Sequence, residues 1–368
     1  MASIRPLAPA IGSADAIADG LQVALAVLRG WACGGRVDEA ATAPARRAAA
    51  ALLAQNRLLA LTGHLLLQPA PDPDVSAMIT AFRRLTAEMN GANLLLMRRL
   101  AVVITDIPVR IVVYKGVVLQ SELYGTPFAR PSSDVDLLTA PEDYAQVAQA
   151  LEAAGYRLDP NTDTVWWRRF LAEQQFRWGR DAQSVDLHHR IQQPGCPMPR
   201  APARLIALAR PQTFLGAEIL TFRPDHALLV AAMSLAKALH HREPAGRYVG
   251  DLLWMLRRLP PGDWAGVRAE ARMLGLSRTL DLAVRCVAAV FGSGSAPRHR
   301  PILEEVADID LQYMLLAPAH APTWIRRRRL LGAICDHPAD VVSAWFVMAA
   351  SETVRRASAP RRLRETIQ

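Results

Sequence analysis

The segment Ser133-Asp134-Val135-Asp136-Leu137-Leu138 limits what this chain can fold into more than any other. Residues two apart on a strand share a face, so Asp134 and Asp136 stand side by side while Val135 and Leu137 turn toward a core. Neighbouring carboxylates raise each other's pKa and cost stability unless a cation or a basic partner compensates. A strand that keeps both is therefore expected to grip a divalent cation and to serve phosphate chemistry. Ser184 to His188 repeats the alternation, with Val185 and Leu187 on one face and Asp186 and His188 on the other. Asp186 is the expected third ligand, which requires the three aspartates to meet on one face of one small sheet.

Around that segment the texture of the chain changes twice. Apolar residues recur at three- and four-residue spacing over Ala48 to Leu67 and Val75 to Val103, which predicts helices broken at Pro69, Pro71 and Pro73. Val109 to Tyr114 is short and β-branched, a strand that ends at Lys115-Gly116, where a helix from Val117 to Tyr124 begins. Further strands are expected at Asp134 to Thr139, Gln175 to Trp178 and Ser184 to His188. A helix from Pro141 to Ala154, closed by Gly155-Tyr156, and a turn at Gly179-Arg180-Asp181 separate them. Pro194, Pro197, Pro199 and Pro202 read as a linker, after which helices return at Asp225 to His241, Gly246 to Arg258, Asp263 to Leu274 and Ser277 to Phe291. The fold class is mixed α/β: an N-terminal helical region over 1–106, a core with a short mixed sheet over 107–192, a linker over 193–222 and a C-terminal helical domain over 223–368. At 368 residues, 51% of them hydrophobic, the chain is long enough for two or three such parts.

The formal net charge of +9 favours acidic partners such as nucleotides, nucleic acid or anionic surfaces. Among 43 Lys plus Arg, only Lys115 and Lys237 are lysines. Lysine is a compact point charge where arginine is a planar fork, so Lys115 stands out beside the motif, while Lys237 reads as a solvated helix residue. The arginines at Arg326 to Arg329 and at Arg355, Arg356, Arg361, Arg362 and Arg364 lack interleaved aromatics and read as solvated faces or a tail, so no sequence-specific nucleic-acid binding is expected. Cys33, Cys196, Cys286 and Cys335 form no C-x-x-C pair and read as buried thiols in a reducing compartment. No run reaches the roughly 18 uninterrupted apolar residues of a membrane span, and Met1 to Ile11 lacks the form of a secretory signal, so a cytoplasmic address without a membrane partner is expected.

Taken together, Tyr114-Lys115-Gly116, Tyr124-Gly125, Arg130-Pro131, Ser133 to Leu138, Gly155-Tyr156 and Val185-Asp186-Leu187-His188 resemble the uncharacterised nucleotidyltransferase family of the DNA polymerase β-like nucleotidyltransferase superfamily. Asp225 to Leu229 leading to His240, then Arg247 and Asp251-Leu252, is similar to that family's helical portion, so the likeness covers about residues 107 to 260. The resemblance implies a polymerase β-like core that moves a nucleoside monophosphate, AMP foremost, from ATP or another nucleoside triphosphate bound with Mg2+ or Mn2+. It implies an acceptor that is a small molecule, a peptide or a protein side chain. On this likeness Asp134 and Asp136 hold the metals, and Asp186 completes the site and helps deprotonate the acceptor. The chain departs from the superfamily in carrying Lys115-Gly116 where Gly-Ser or Gly-Gly is usual, with a longer gap from Gly116 to Asp134. Serine's phosphate contact is absent, and the amides of Gly116 and Val117 at a helix N-terminus, with Lys115, are expected to replace it.

Other residues near the motif admit two readings. Arg130 either offers a fork to a triphosphate or makes a salt bridge that orients Asp134 or Asp136. His188 and His189 read as a base, as neighbours behind a metal or, in preference, as surface residues beside a carboxylate strand, and Trp166, Trp167 and Trp178 as base-stacking groups or, in preference, core or subunit contacts. His240, Arg247 and Asp251 read as a hydrogen-bonded network behind the site. Two rivals to catalysis by nucleotidyl transfer follow from the same residues. One is a degenerate protein that only binds a nucleotide or a partner. The other is a phosphotransferase, opposed by the lack of a His-x-Asp catalytic loop and of a glycine-rich nucleotide loop.

Overall fold

A computed structural model describes residues 14–35, 41–68, 71–179, 183–191, 194–260 and 262–358. Met1 to Ile11, Pro69, Arg180, Asp181, Arg361, Arg362 and Arg364 lie outside the described residues. The first helices are α1 (Ala14–Cys33), α2 (Ala43–Gln55), the short α3 (Leu59–Thr62) and α4 (Pro73–Thr105). Asp72 starts α4 by accepting hydrogen bonds from the amides of Asp74 and Val75, with Pro73 at the first helical position, where its missing N–H costs nothing. At 33 residues α4 is about 50 Å long, enough to serve two cores. Its first half buries Val75, Ile79 and Phe82 among the helices, and its second half lays Leu96, Met97, Leu100 and Ile104 under the sheet.

The sheet follows with β1 (Val112–Tyr114), α5 (Gly116–Tyr124), β2 (Asp134–Leu138), α6 (Tyr144–Ala153), β3 (Tyr156–Leu158), β4 (Glu173–Trp178), β5 (Ser184–His188), α7 (Pro202–Ala207), β6 (Arg210–Phe214) and β7 (Ala217–Thr221). The seven strands lie in the order β3-β4-β5-β2-β1-β7-β6. β2 runs parallel to β5 and antiparallel to β1, and β1 runs parallel to β7, so the sheet is mixed. One face, with Val113, Val135, Leu137, Phe176, Val185 and Leu187, is covered by the end of α4 and by Val147 and Leu151 of α6.

The remaining helices are α8 (Pro224–His241), α9 (Gly246–Arg258), α10 (Trp264–Met273), α11 (Ser277–Phe291), α12 (Asp308–Leu316), α13 (Arg327–Ile334) and α14 (Pro338–Ser358). Leu21 of α1, Leu52 of α2, Leu235 of α8, Leu252 of α9 and Leu280 of α11 belong to one apolar cluster, which also takes Val112, Tyr114 and Leu138 from the second face of the sheet. N-terminal and C-terminal helices therefore close over the same face of the strands.

The mixed α/β architecture follows the predicted textures, with two corrections, to the linker and to one cysteine. Residues 193–222 are more than a linker, because β6 and β7 form a hairpin that extends the sheet through Val112 and Leu220. Pro211 is tolerated in β6 because that strand is an edge, and the turn at Leu215 and Gly216 has positive φ at both positions, the geometry of a tight hairpin without its usual Asn-Gly signature. α1 is long and apolar enough to cross a membrane by length and composition, and half of that stretch is buried within the protein. Cys196, Cys286 and Cys335 are buried as expected of inert thiols, whereas Cys33 at the end of α1 is exposed.

Candidate active site

The register of the strands decides which polar side chains meet. Asp136 lies opposite Asp186 across the parallel β2–β5 pair, Tyr114 lies opposite Asp136 on β1, and Gln175 lies opposite Asp186 on β4. Because alternate residues share a face, Asp134, Asp136 and Asp186 all stand on the face opposite Val135, Leu137 and Val185. His188 and Glu173, paired one step further along, share it. This face opens into a cavity of about 410 Å3 lined by the three aspartates, Lys115, Gly116 and Arg130, and by His188, Arg247 and Asp251. His240 is buried outside the cavity wall, packed against Gly195, and its neighbour His241 lines the cavity instead.

The approach to the carboxylates is tightly built. Lys115 and Gly116 both have positive φ, 69° and 56°, so the chain turns sharply from β1 into α5. A Cβ at Gly116 would come within 3.3 Å of the Asp134 carbonyl oxygen and the Ser132 hydroxyl, which leaves room for glycine alone without a shift. The loop before β2 is held by carboxamides. Asn90 of α4 donates to the carbonyl of Arg130 at 2.8 Å and accepts from the Ser132 amide at 2.8 Å. Asn93, one helical turn on, donates to the Ser132 carbonyl at 2.7 Å, and the Gln120 carboxamide accepts from the Arg130 amide at 2.8 Å. Arg130 pairs with neither Asp134 nor Asp136. Its guanidinium meets Asp251 of α9 at 2.7 Å, and the Tyr124 hydroxyl donates to the other oxygen of Asp251 at 2.7 Å. Arg130 thus ties the loop to the C-terminal helices.

The carboxylates differ in their surroundings. One oxygen of Asp136 faces both the Lys115 ammonium at 3.7 Å and His188 Nε2 at 3.2 Å. Burial pushes the Asp136 carboxyl up, but Lys115 and then His188 outweigh it and hold it at about 2. Burial followed by the charge of Asp136 pushes Asp134 above the ordinary carboxylate range. Asp186 is pushed well above it by burial, then by Asp134 and Asp136, although Ser184 donates to it at 2.9 Å and Gln175 at 3.3 Å. Two carboxyls driven toward protonation beside a third that stays ionised form a donor set whose conflict a divalent cation relieves. Oxygen ligands of this kind suit Mg2+ or Mn2+.

Another cluster has tighter spacing and poorer charge. Among the described residues, donor atoms of Asp225, His226 and Glu270 all lie within 4.8 Å of one another, a spacing the three aspartates do not reach. Yet Asp225 is bridged by Arg223 at 2.6 Å and Glu270 by Arg204 at 2.9 Å, so both negative charges are already neutralised. At the sheet one ammonium, Lys115, contacts Asp136, while Asp134 and Asp186 make no ion pair among the described residues and are left open to a cation.

Sequence reasoning missed several groups in the cavity. Lys237 does not point to solvent, and with Lys115 it brings both lysines of the chain to the cavity wall. His188 is not a surface residue: it is 5% exposed, with Nε2 toward Asp136 and Nδ1 3.4 Å from a carboxylate oxygen of Glu173. Trp167 lines the cavity, whereas Trp166 donates to Ser351 and Trp178 meets Tyr156 edge to face. Arg57, Glu173 and Tyr248 were not singled out at all, since their place depends on tertiary packing. Asn90 and Asn93 did leave a signal, two carboxamides one turn apart on the apolar face of α4.

Glu173 holds His188 in the orientation that serves Asp136, an arrangement of the kind that tunes metal ligands from behind. Glu173→Gln is expected to weaken Mn2+·nucleotide binding by about tenfold to a hundredfold, read by isothermal titration calorimetry, with little change in melting temperature. An unaltered affinity would mean that His188 is fixed without Glu173.

The site is thus a seven-stranded mixed sheet with three carboxylates on one face, entered through a tight turn into a helix. The model of the uncharacterised nucleotidyltransferase family matches residues 44–292, and the chain belongs to that family. A solved structure, an antigenic nucleotidyltransferase-like protein from Paracoccidioides brasiliensis, is similar at 16% identity over 57% of this chain and 86% of its own, with a TM-score of 0.31. No curated protein matches. Family membership supports nucleotidyl transfer as the general activity.

Proposed function

We propose that this protein transfers a nucleoside monophosphate, AMP foremost, from a Mg2+-bound nucleoside triphosphate to an acceptor hydroxyl or comparable nucleophile. The observation that carries this reading is the common face of Asp134, Asp136 and Asp186 in a cavity that also receives both lysines. Asp134, Asp136 and Asp186 would hold the cation, which would neutralise charge on the phosphates and orient them. Gly116 starts α5 at the cavity wall, and its amide and that of Val117 after it, with Lys115, would receive the phosphates. Leu119, Phe222, Val230 and Met255 supply an apolar wall for base and ribose. In the transfer, the bond from the α-phosphorus to the bridging oxygen breaks and its electron pair leaves on pyrophosphate. The acceptor oxygen forms the new bond to that phosphorus, and its proton passes to Asp186.

A second reading rests on one contact. Lys115 already compensates Asp136 at 3.7 Å, as an internal cation does in a protein that binds nucleotide without turning it over. The two readings separate in one experiment that combines thermal shift with a pyrophosphate-release assay. With ATP and Mg2+ or Mn2+, the catalytic reading expects metal-dependent stabilisation and metal-dependent pyrophosphate release, both lost in Asp134→Asn. Stabilisation by ATP in EDTA, with no pyrophosphate under any metal in the presence of candidate acceptors, supports the binding-only protein. Intact-mass measurement of those acceptors identifies the group transferred.

A further inference from the structure

We propose that Arg57 and Arg247 form a polyphosphate subsite, which takes the β- and γ-phosphates of the nucleotide and so grips the departing pyrophosphate. The identity of the ligand rests on the nucleotidyl-transfer reading; the existence of an anion site there does not. Arg57 comes from the N-terminal helices and Arg247 from α9, yet both line the same cavity as Asp134.

The backbone at Arg57 is the first sign of a function. α2 ends with the Leu58 amide donating to the Leu53 carbonyl and the Arg57 amide donating to the Ala54 carbonyl. This paired arrangement places its penultimate residue in the left-handed region, where glycine is the usual occupant. Arg57 sits there at φ 59°, a conformation strained for any residue with a Cβ. A glycine would end the helix equally well, so the arginine is there for its side chain.

That side chain is attracted by the charge of Asp134 but reaches no contact partner. The Arg57 guanidinium makes no hydrogen bond or ion pair with any described residue. Arg247 donates to the Tyr248 hydroxyl at 2.6 Å and lies over the Tyr248 ring, and it too lacks a carboxylate partner. Burial, followed by the charge of Arg247, pushes the Arg57 guanidinium down to about 9. Two forked cations that repel each other in a cavity are satisfied by a ligand with several adjacent anionic oxygens.

A latch sets the two arginines side by side. Asn56, 1% exposed, accepts from the Gly246 amide at 2.7 Å and donates to the carbonyls of Leu52 and Leu316 at 2.8 Å each. A Cβ at Gly246 would stand 2.7 Å from the Asn56 side-chain oxygen, so the Gly246 backbone lies against the Asn56 side chain as closely as glycine permits. Asn56 and Gly246 are 190 residues apart, and the residue after each is one of the two arginines. The N-terminal helices are therefore part of the site and not an appendage to it.

The test measures binding of inorganic tripolyphosphate in EDTA at 150 mM salt, by calorimetry and by thermal shift. The unmodified protein is expected to bind, and Arg57→Gly and Arg247→Gln are each expected to weaken binding by about tenfold or more, the loss typical of one charge-assisted contact. Arg57→Gly should also melt at or above the temperature of the unmodified protein, since the backbone strain is gone, so lost binding cannot be blamed on misfolding. Arg84→Gln, which removes an equal charge from an exposed part of α4, is expected to bind normally. No binding by the unmodified protein, or equal affinity in Arg57→Gly and Arg247→Gln, overturns the subsite and leaves nucleotidyl transfer standing. Arginine-dependent binding without any pyrophosphate release from ATP would retain the subsite and remove the transfer reading.

Discussion

Asp136→Asn is expected to slow pyrophosphate release by about a thousandfold, because it removes the carboxylate at the centre of the site and several kcal/mol of charge stabilisation with it. Asp136 lies between Tyr114 and Asp186 in the sheet, and its charge is held by Lys115 and His188. The effect on folding is smaller and has a definite sign. Its folded pKa is depressed from 3.8 to about 2, so the group stabilises the fold above pH ~4, and this contribution fades as pH falls through about 2. At neutral pH the substitution removes about 2 kcal/mol of that stabilisation. The relief of Asp134 and Asp186, both pushed up by Asp136, returns part of it. Equilibrium denaturation should therefore show a modest change, while the Mg2+·ATP-dependent thermal shift disappears. A variant that keeps that shift and at least a tenth of the rate would remove Asp136 from the metal site.

The second large effect is on stability. Asp251→Leu is expected to cost about 3–5 kcal/mol, because it strands the Arg130 guanidinium in a site where Arg130 is 7% and Asp251 2% exposed. Arg130 Nε already lacks a hydrogen-bond partner among the described residues, and Tyr124 loses the acceptor for its hydroxyl. The double variant Arg130→Met/Asp251→Leu should recover most of this loss, since replacing a whole buried pair by apolar groups is far less costly than breaking it. Urea denaturation of the two singles and the double gives the coupling directly. A loss below about 1 kcal/mol in Asp251→Leu would show that the loop before β2 is held by Asn90, Asn93 and Gln120 without help from α9.

What the sequence disclosed was local. The alternation in Ser133 to Leu138 and Ser184 to His188 identified β2 and β5 and the faces of their side chains, because strand periodicity needs only neighbours in sequence. The scarcity of lysine drew attention to Lys115 for the same reason. Register was not legible: that Asp136 meets Asp186, and that Glu173 comes behind His188, depends on how separate strands slide against each other. Lys237 looked solvated because a helix such as α8, apolar on most sides, gives no sign that one of its faces borders a polar cavity. Arg130 reads in sequence as a fork for a triphosphate or a salt bridge to nearby Asp134 or Asp136, while the carboxylate it meets is 121 residues away. The β6–β7 hairpin was hidden by the prolines before and within it, which read as a linker until an edge strand accommodates Pro211.

If the aspartates of β2 and β5, and no other acidic cluster, take the cation of the proposed transfer, anomalous diffraction from crystals soaked with Mn2+ and a non-hydrolysable ATP analogue should show it. A manganese peak bounded by Asp134, Asp136 and Asp186 is the expected result. A peak at Asp225, His226 and Glu270, with none at the sheet, would contradict it.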